Sequence, residues 1–193
     1  MQAKEQQYYT PEEYLELETA AEYRSEYIDG QIIPMAGGLP NHNRIAGNLY
    51  AGLNYAFRGK PYYAFINDLR LWIPDYRVYT YPDVMIIANN LEYAQGRRDT
   101  VVNPVAIAEV LSDSTEKYDR GEKFRMYRTI PTLKEYILIN QKEMHLEQFV
   151  QNQQGQWLFN DYEGEATVLK LTSVEFSIPL LELYDKVNFE TPE

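Results

Sequence analysis

One segment of this 193-residue chain limits its possible folds more than any other. Val105-Ala106-Ile107-Ala108-Glu109-Val110-Leu111 is apolar at every position but one. A strand with one wet face alternates apolar and polar residues, whereas a strand covered on both faces reads as a continuous apolar run. The segment therefore belongs inside a sheet with layers on both sides. Val84-Met85-Ile86-Ile87-Ala88 repeats the pattern, and a chain of this length can bury such a sheet as one domain. Glu109 is the exception that draws chemistry into the argument. A carboxylate in such a run loses hydration, at a cost of several kcal/mol unless it is paired or ligated.

The flanking sequence predicts an α/β (α+β) fold, a central mixed β-sheet flanked by helices. Thr10-Pro11-Glu12-Glu13 reads as a helix start with a capping box, and Glu26 to Met35 reads as a hairpin about Asp29-Gly30. Apolar residues at 45, 49, 53, 56 and 57 recur at helical spacing, predicting a helix from about Asn43 to Arg58. Tyr62 to Asn67 and Leu69 to Ile73 read as strands, and Tyr118 to Thr129 as a helix ending before Pro131. Glu135 to Ile139, Met144 to Gln151, Gln156 to Tyr162 and Thr167 to Leu171 read as further strands, so extra β-hairpins close the C-terminal part. The expectation is a single domain over 1–193, with its core at about 8–185 and short flexible termini.

Composition removes several functions. There is no cysteine, which excludes disulfides, thiol nucleophiles and cysteine zinc sites, and the two histidines make a histidine zinc site a poor fit. A resident metal would need oxygen ligands, as Mg2+ or Mn2+ does. The formal charge of −11 argues against coating nucleic acid by overall charge, yet leaves room for a local basic cleft. Neither a signal-like start nor a membrane-length apolar run is present, so the expectation is a cytoplasmic protein with no membrane contact. Phosphate-binding glycine loops, dinucleotide fingerprints and nucleophile elbows are missing as well.

The candidate chemistry gathers around Glu109. Asp83 follows Pro82 and heads the second apolar run, so two strands each carry one carboxylate. Two such groups repel unless a cation lies between them, which makes the pair a candidate site for a divalent ion. The plainer alternatives are a Glu109 paired at an exposed strand end and a Pro82-Asp83 turn. Asp119, Lys123 and Tyr127 recur at spacings of four. They form either an exposed salt-bridged face or a face that sets Lys123 above the carboxylates, with Arg120, Arg125 and Arg128 as phosphate contacts. His42 lies near a helix start, where anions are favoured, and Glu26 offers a third carboxylate. The 18 tyrosines are read as sheet packing.

Pro82-Asp83-Val84, the block Glu109 to Thr115, Tyr118 to Tyr127 and Glu135 to Ile139 together resemble one bacterial family, the Uma-two type of restriction endonuclease, a branch of the PD-(D/E)XK nuclease superfamily. Glu26 to Gly30 and the His42 loop fit as well, and the resemblance covers about residues 8 to 185. It implies a restriction-endonuclease-like core and a Mg2+- or Mn2+-dependent endonuclease acting on DNA. Asp83 and Glu109 would be the metal ligands, and Lys123, Glu26 and His42 would complete the catalytic set. The superfamily places a lysine two residues after the second acid, where this chain has Leu111; Lys123 on the next helix is the nearest substitute. A homodimer is expected by analogy, since two strands require two cuts. The competing reading is a catalytically inactive nuclease-fold module that binds protein or nucleic acid, and a third is carbohydrate binding by the tyrosines.

Overall fold

The computed structural model describes residues 7–190. Its elements in chain order are α1 (Pro11–Ala20), β1 (Ser25–Ile28), β2 (Gln31–Pro34), α2 (Pro40–Ala56), β3 (Tyr62–Ile66), β4 (Arg70–Ile73), β5 (Val78–Thr80), β6 (Val84–Ala88), β7 (Thr100–Val101) and β8 (Ala106–Leu111). There follow α3 (Glu116–Tyr118), α4 (Phe124–Tyr127), β9 (Glu135–Asn140), β10 (His145–Gln151), β11 (Trp157–Glu163), β12 (Val168–Leu171), β13 (Phe176–Pro179) and α5 (Leu180–Leu183). Of the termini expected to be flexible, beyond about 8–185, residues 1–6 and 191–193 lie outside the described residues, while in 186–190 Val187 packs on the core and the Asn188 N–H donates to Asn41 Oδ1.

The fold is mixed α/β. A six-stranded sheet runs in the order β11-β10-β9-β8-β6-β3 and is mixed, because β8 and β9 are parallel while its other pairs are antiparallel. As the apolar run requires, β8 is buried at all six positions and lies inside this sheet. Ala106, Ala108 and Val110 pack towards α2 through Ile45, Leu49 and Leu53, and Ile107 and Leu111 pack into a second core with Leu71, Ile73, Phe124 and Tyr127. The C-terminal hairpins β10–β11 and β12–β13 are present.

Three expectations need correction. A second, five-stranded sheet in the order β2-β1-β5-β4-β7 stands beside the central one; its β5 and β7 have three and two residues, too few to show a period. Helix α2 starts at Pro40 rather than Asn43, because proline at the first helical position has its φ already set and no amide to satisfy. The helix expected over Tyr118 to Thr129 is broken. Asp119–Lys123 forms a π-turn between α3 and α4, and such turns insert one residue and redirect the side chains around it.

Candidate active site

Strand register brings Asp83 and Glu109 together. Val84 pairs with Ala108 in the antiparallel β6–β8 ladder, so the residue before Val84 faces the residue after Ala108. The backbone N–H of Asp83 donates to Glu109 Oε2 at 3.1 Å, and the backbone N–H of Val110 donates to Asp83 Oδ2 at 2.8 Å. The two carboxylates, 26 positions apart, are thus each fixed by the other's strand.

Glu109 is 2% exposed. Its Oε1 accepts from Tyr127 Oη at 2.7 Å and lies 2.9 Å from Lys123 Nζ. Burial pushes its pKa up to about 8; Lys123 opposes the shift, and the charges of Asp83 and Asp119 add to it. Lys123 is buried as well, 3.4 Å from Asp119 Oδ1 and 3.8 Å from Glu26 Oε1. Burial alone would lower its pKa, yet the carboxylates around it, Glu109 first, hold it well above the usual lysine value. The exposed salt-bridged face considered for Asp119 and Lys123 is overturned, since both are buried. The π-turn is the cause: it turns both side chains towards β8 instead of solvent.

His42 enters from the first turn of α2. Its Nε2 lies 3.2 Å from Asp83 Oδ2. Burial disfavours its charged form, but the bond and charge of Asp83 outweigh burial and raise its pKa. Gly38 makes this position possible, for a Cβ there would lie 2.9 Å from His42 Nδ1. Glu26, on β1, accepts from the hydroxyl of Thr80 and completes the ring of acids around Lys123.

The helix arginines behave differently. Arg120, expected to contact phosphate, is committed to Glu116 and to Glu147 on β10. Arg125 is exposed, with its Nε donating to Tyr76 Oη at 3.2 Å, and exposed Arg128 lies over the Phe124 ring. Tyr127 and Asp119 are members of the cleft, whereas the sequence left their face open between an exposed salt-bridged one and one that sets Lys123 above the carboxylates. The spacing of four with Lys123 was their one signal. Leu111, where the superfamily lysine would stand, is buried in the second core.

Asp83 and Glu109 can hold a hard ion. Glu109 Oε2 has one hydrogen-bond donor, both named partners of Asp83 lie on Oδ2, and all these donors of electron pairs are oxygens. Three carboxylates, of Glu109, Asp119 and Glu26, lie 2.9, 3.4 and 3.8 Å from the Lys123 ammonium, and Asp83 adds a fourth carboxylate to the cleft. Among the described residues, a different trio converges within 4.8 Å: His145, Asp161 and Glu163 on the β10–β11 ladder. It has two exposed carboxylates, and His145 Nε2 is already bonded to Asp161 Oδ1 at 2.6 Å. It therefore receives no assignment.

This fold is that of a solved structure described as a putative nuclease belonging to DUF820 from Anabaena variabilis, with a TM-score of 0.75, 18% identity and coverage of 91% of this chain and 97% of that one. The family model Uma2, described as "Putative restriction endonuclease", matches residues 11–181, and the chain belongs to that family. Two relatives from Synechocystis sp. (strain ATCC 27184 / PCC 6803 / Kazusa) are similar over most of their length. The uncharacterized protein sll1609 is 43% identical over 81% of this chain and 88% of its own, and the uncharacterized protein slr1290 is 34% identical over 93% of each. No helix among the described residues is long and apolar enough to cross a membrane.

Proposed function

We propose that the protein is a Mg2+- or Mn2+-dependent endonuclease that hydrolyses phosphodiester bonds in DNA, with Asp83 and Glu109 as the metal ligands. The observation that carries this reading is the mutual main-chain clasp of the two carboxylates, 3.1 and 2.8 Å, with the Lys123 ammonium 2.9 Å from Glu109. A divalent ion bound there supplies Lewis acidity towards a phosphoryl oxygen and an attacking water.

The chain's own groups do the rest. Lys123, held in low dielectric, neutralises charge that builds on a non-bridging phosphoryl oxygen during in-line displacement. Tyr127 donates to Glu109 and fixes the orientation of its carboxylate. His42 bonds to Asp83 Oδ2 and leaves Oδ1 as the oxygen available to the ion. Glu26 limits the travel of Lys123 from the side of β1. Arg125 and Arg128, exposed on the same helical segment, supply phosphate contacts at the margin. We further propose that two copies act together, one on each DNA strand, which sedimentation or light scattering with a palindromic duplex would show.

Nicking of supercoiled plasmid tests the central claim. Cleavage with Mg2+ or Mn2+, none with EDTA, and none by Asp83→Asn is the expected set. Nucleic-acid or protein binding without cleavage, in all metals, would replace this reading with that of an inactive nuclease-fold module.

A further inference from the structure

The proposed reaction leaves one buried charge in the cleft without a task. Asp119 is 3% exposed and its Oδ1 accepts no hydrogen bond. A buried carboxylate oxygen held only by a 3.4 Å ion pair with Lys123 is under-satisfied and calls for a physical reason. Its backbone is well anchored: Tyr136 Oη donates to the Asp119 carbonyl at 3.0 Å, and the Asp119 N–H donates to the Thr115 carbonyl at 2.8 Å. The side chain is therefore presented to the cleft from a fixed point.

Lys123 stands among three carboxylates at unequal distances, 2.9 Å from Glu109, 3.4 Å from Asp119 and 3.8 Å from Glu26. The nearest of them is a ligand in the proposed metal site, and a divalent ion on Glu109 repels an ammonium on the same carboxylate. The lysine must then yield, and its flexible four-carbon stem allows it to. Glu26 Oε1 already takes the Thr80 hydroxyl and is the farther of the two remaining acceptors. Asp119 Oδ1 is nearer and has no hydrogen bond that competes with its 3.4 Å contact to Lys123.

We infer that Asp119 is the positioning residue that receives Lys123 when a divalent cation loads Glu109, keeping the ammonium inside the cleft beside the reacting phosphate. The π-turn sets up the exchange, because it directs both ends of the Asp119–Lys123 pair inward. In this account the lysine serves as a stand-in cation before loading and as a charge donor after it. Among the described residues, Asp119, Asp83 and Glu109 do not converge within 4.8 Å, so Asp119 acts through Lys123 and not as a third ligand. The inference rests on the metal site of the proposed function.

Mn2+ titration by calorimetry, at one pH, tests it on the wild type, Asp119→Asn, Lys123→Met and the double variant. Lys123→Met should bind Mn2+ about 5- to 10-fold more tightly, since nothing has to be displaced, and Asp119→Asn should bind it more weakly by a similar factor. In the Lys123→Met background most of the Asp119→Asn effect should vanish. An equal loss in both backgrounds would make Asp119 a ligand or a distant charge and overturn the inference, as would no loss in either. A wild type that binds no Mn2+ would overturn the metal site itself, so the two failures are distinguishable. A second measurement covers variants that do not fold. In wild-type protein the 15N resonance of the Lys123 ammonium should shift on Mg2+ addition, and a resonance that stays in place while Mg2+ binds would also end the inference.

Discussion

Two buried glutamates, Glu109 and Glu135, stand on paired parallel strands and are held in opposite ways. Glu135 is 0% exposed, and its oxygens receive the backbone N–H and hydroxyl of both Thr172 and Ser173 and the side-chain amide of Gln148. Five neutral donors satisfy it, none of these partners is a cation, and the nest pins the loop between β12 and β13 to the central sheet. Glu109 is held by one backbone amide, one phenol and one ammonium, in a cleft where three other acids add to its charge. A saturated carboxylate is finished as structure. A carboxylate held by a displaceable cation, with an oxygen still open, is prepared for a ligand.

The largest effect that could break this contrast is on turnover. Asp83→Asn or Glu109→Gln should lower cleavage at least about a thousandfold, or ~4 kcal/mol in barrier, because each removes a charge that the ion requires. The fold should survive Glu109→Gln, because the neutral isostere can still accept from Tyr127 or the Asp83 amide, and Lys123 keeps Asp119 and Glu26 as partners. A Glu109→Gln variant that cleaves normally would show the open oxygen to be incidental.

Glu135→Ala should do the reverse. It leaves five donors without their acceptor and should cost about 3 kcal/mol of stability, measured by urea unfolding, while Mn2+ affinity per folded molecule stays at the wild-type value. A loss of metal affinity in that variant, with folding intact, would erase the distinction between the two glutamates.

Much of this contrast can be read in the sequence, and the unread part has identifiable causes. Glu109 and Asp83 stood out because each interrupts or heads an apolar run, and an exception to a pattern is visible without coordinates. Glu135 begins a strand and offers no such signal; its donors lie 37 and 38 positions away in a loop. Asp119 and Tyr127 followed the helical spacing of Lys123, but their burial, Asp119 in the π-turn and Tyr127 in α4, depends on tertiary contacts with Tyr136 and with Glu109 of β8. Arg120 read as free because its partner Glu147 belongs to a distant strand. The second sheet was legible in part, since β1, β2 and β4 read as strands, but β5 and β7, of three and two residues, carry no period that would join them into one sheet.

The pH dependence of the metal-free protein sharpens the comparison further. Glu109 has a folded pKa raised from 4.5 to about 8. A raised acid favours the protonated folded state, so its contribution is complete below the unfolded pKa and is lost as pH climbs through the folded one. Between about pH 5 and 8 the metal-free protein should therefore lose stability, read as a melting temperature that falls as pH rises, and Glu109→Gln should flatten that decline. Added Mg2+ should reverse the trend, because the ion binds the ionised form and gains affinity as the proton leaves. A melting temperature that rises with pH over this range without metal would contradict the charge balance assigned to the cleft.

The smallest effect concerns surface charge, where the same contrast between committed and available groups recurs. Arg120 is spent on two glutamates, whereas exposed Arg125 and Arg128 hold only aromatic partners closely, Tyr76 and Phe124, with Glu122 3.9 Å from Arg125. If the two exposed arginines meet phosphates, each alanine substitution should weaken DNA binding a few fold and lower the slope of log affinity against log salt by about 0.7 to 0.9. Arg120→Ala should leave that slope unchanged and act on stability, by no more than about 1 kcal/mol, because its side chain is partly exposed and its pairs are screened. The cleft chemistry must stay constant across the three, so the binding assay is run with Ca2+ in place of Mg2+ and cleavage is followed separately. Equal salt slopes for all three variants would show that an arginine's pairing in the free protein does not decide whether it meets the substrate.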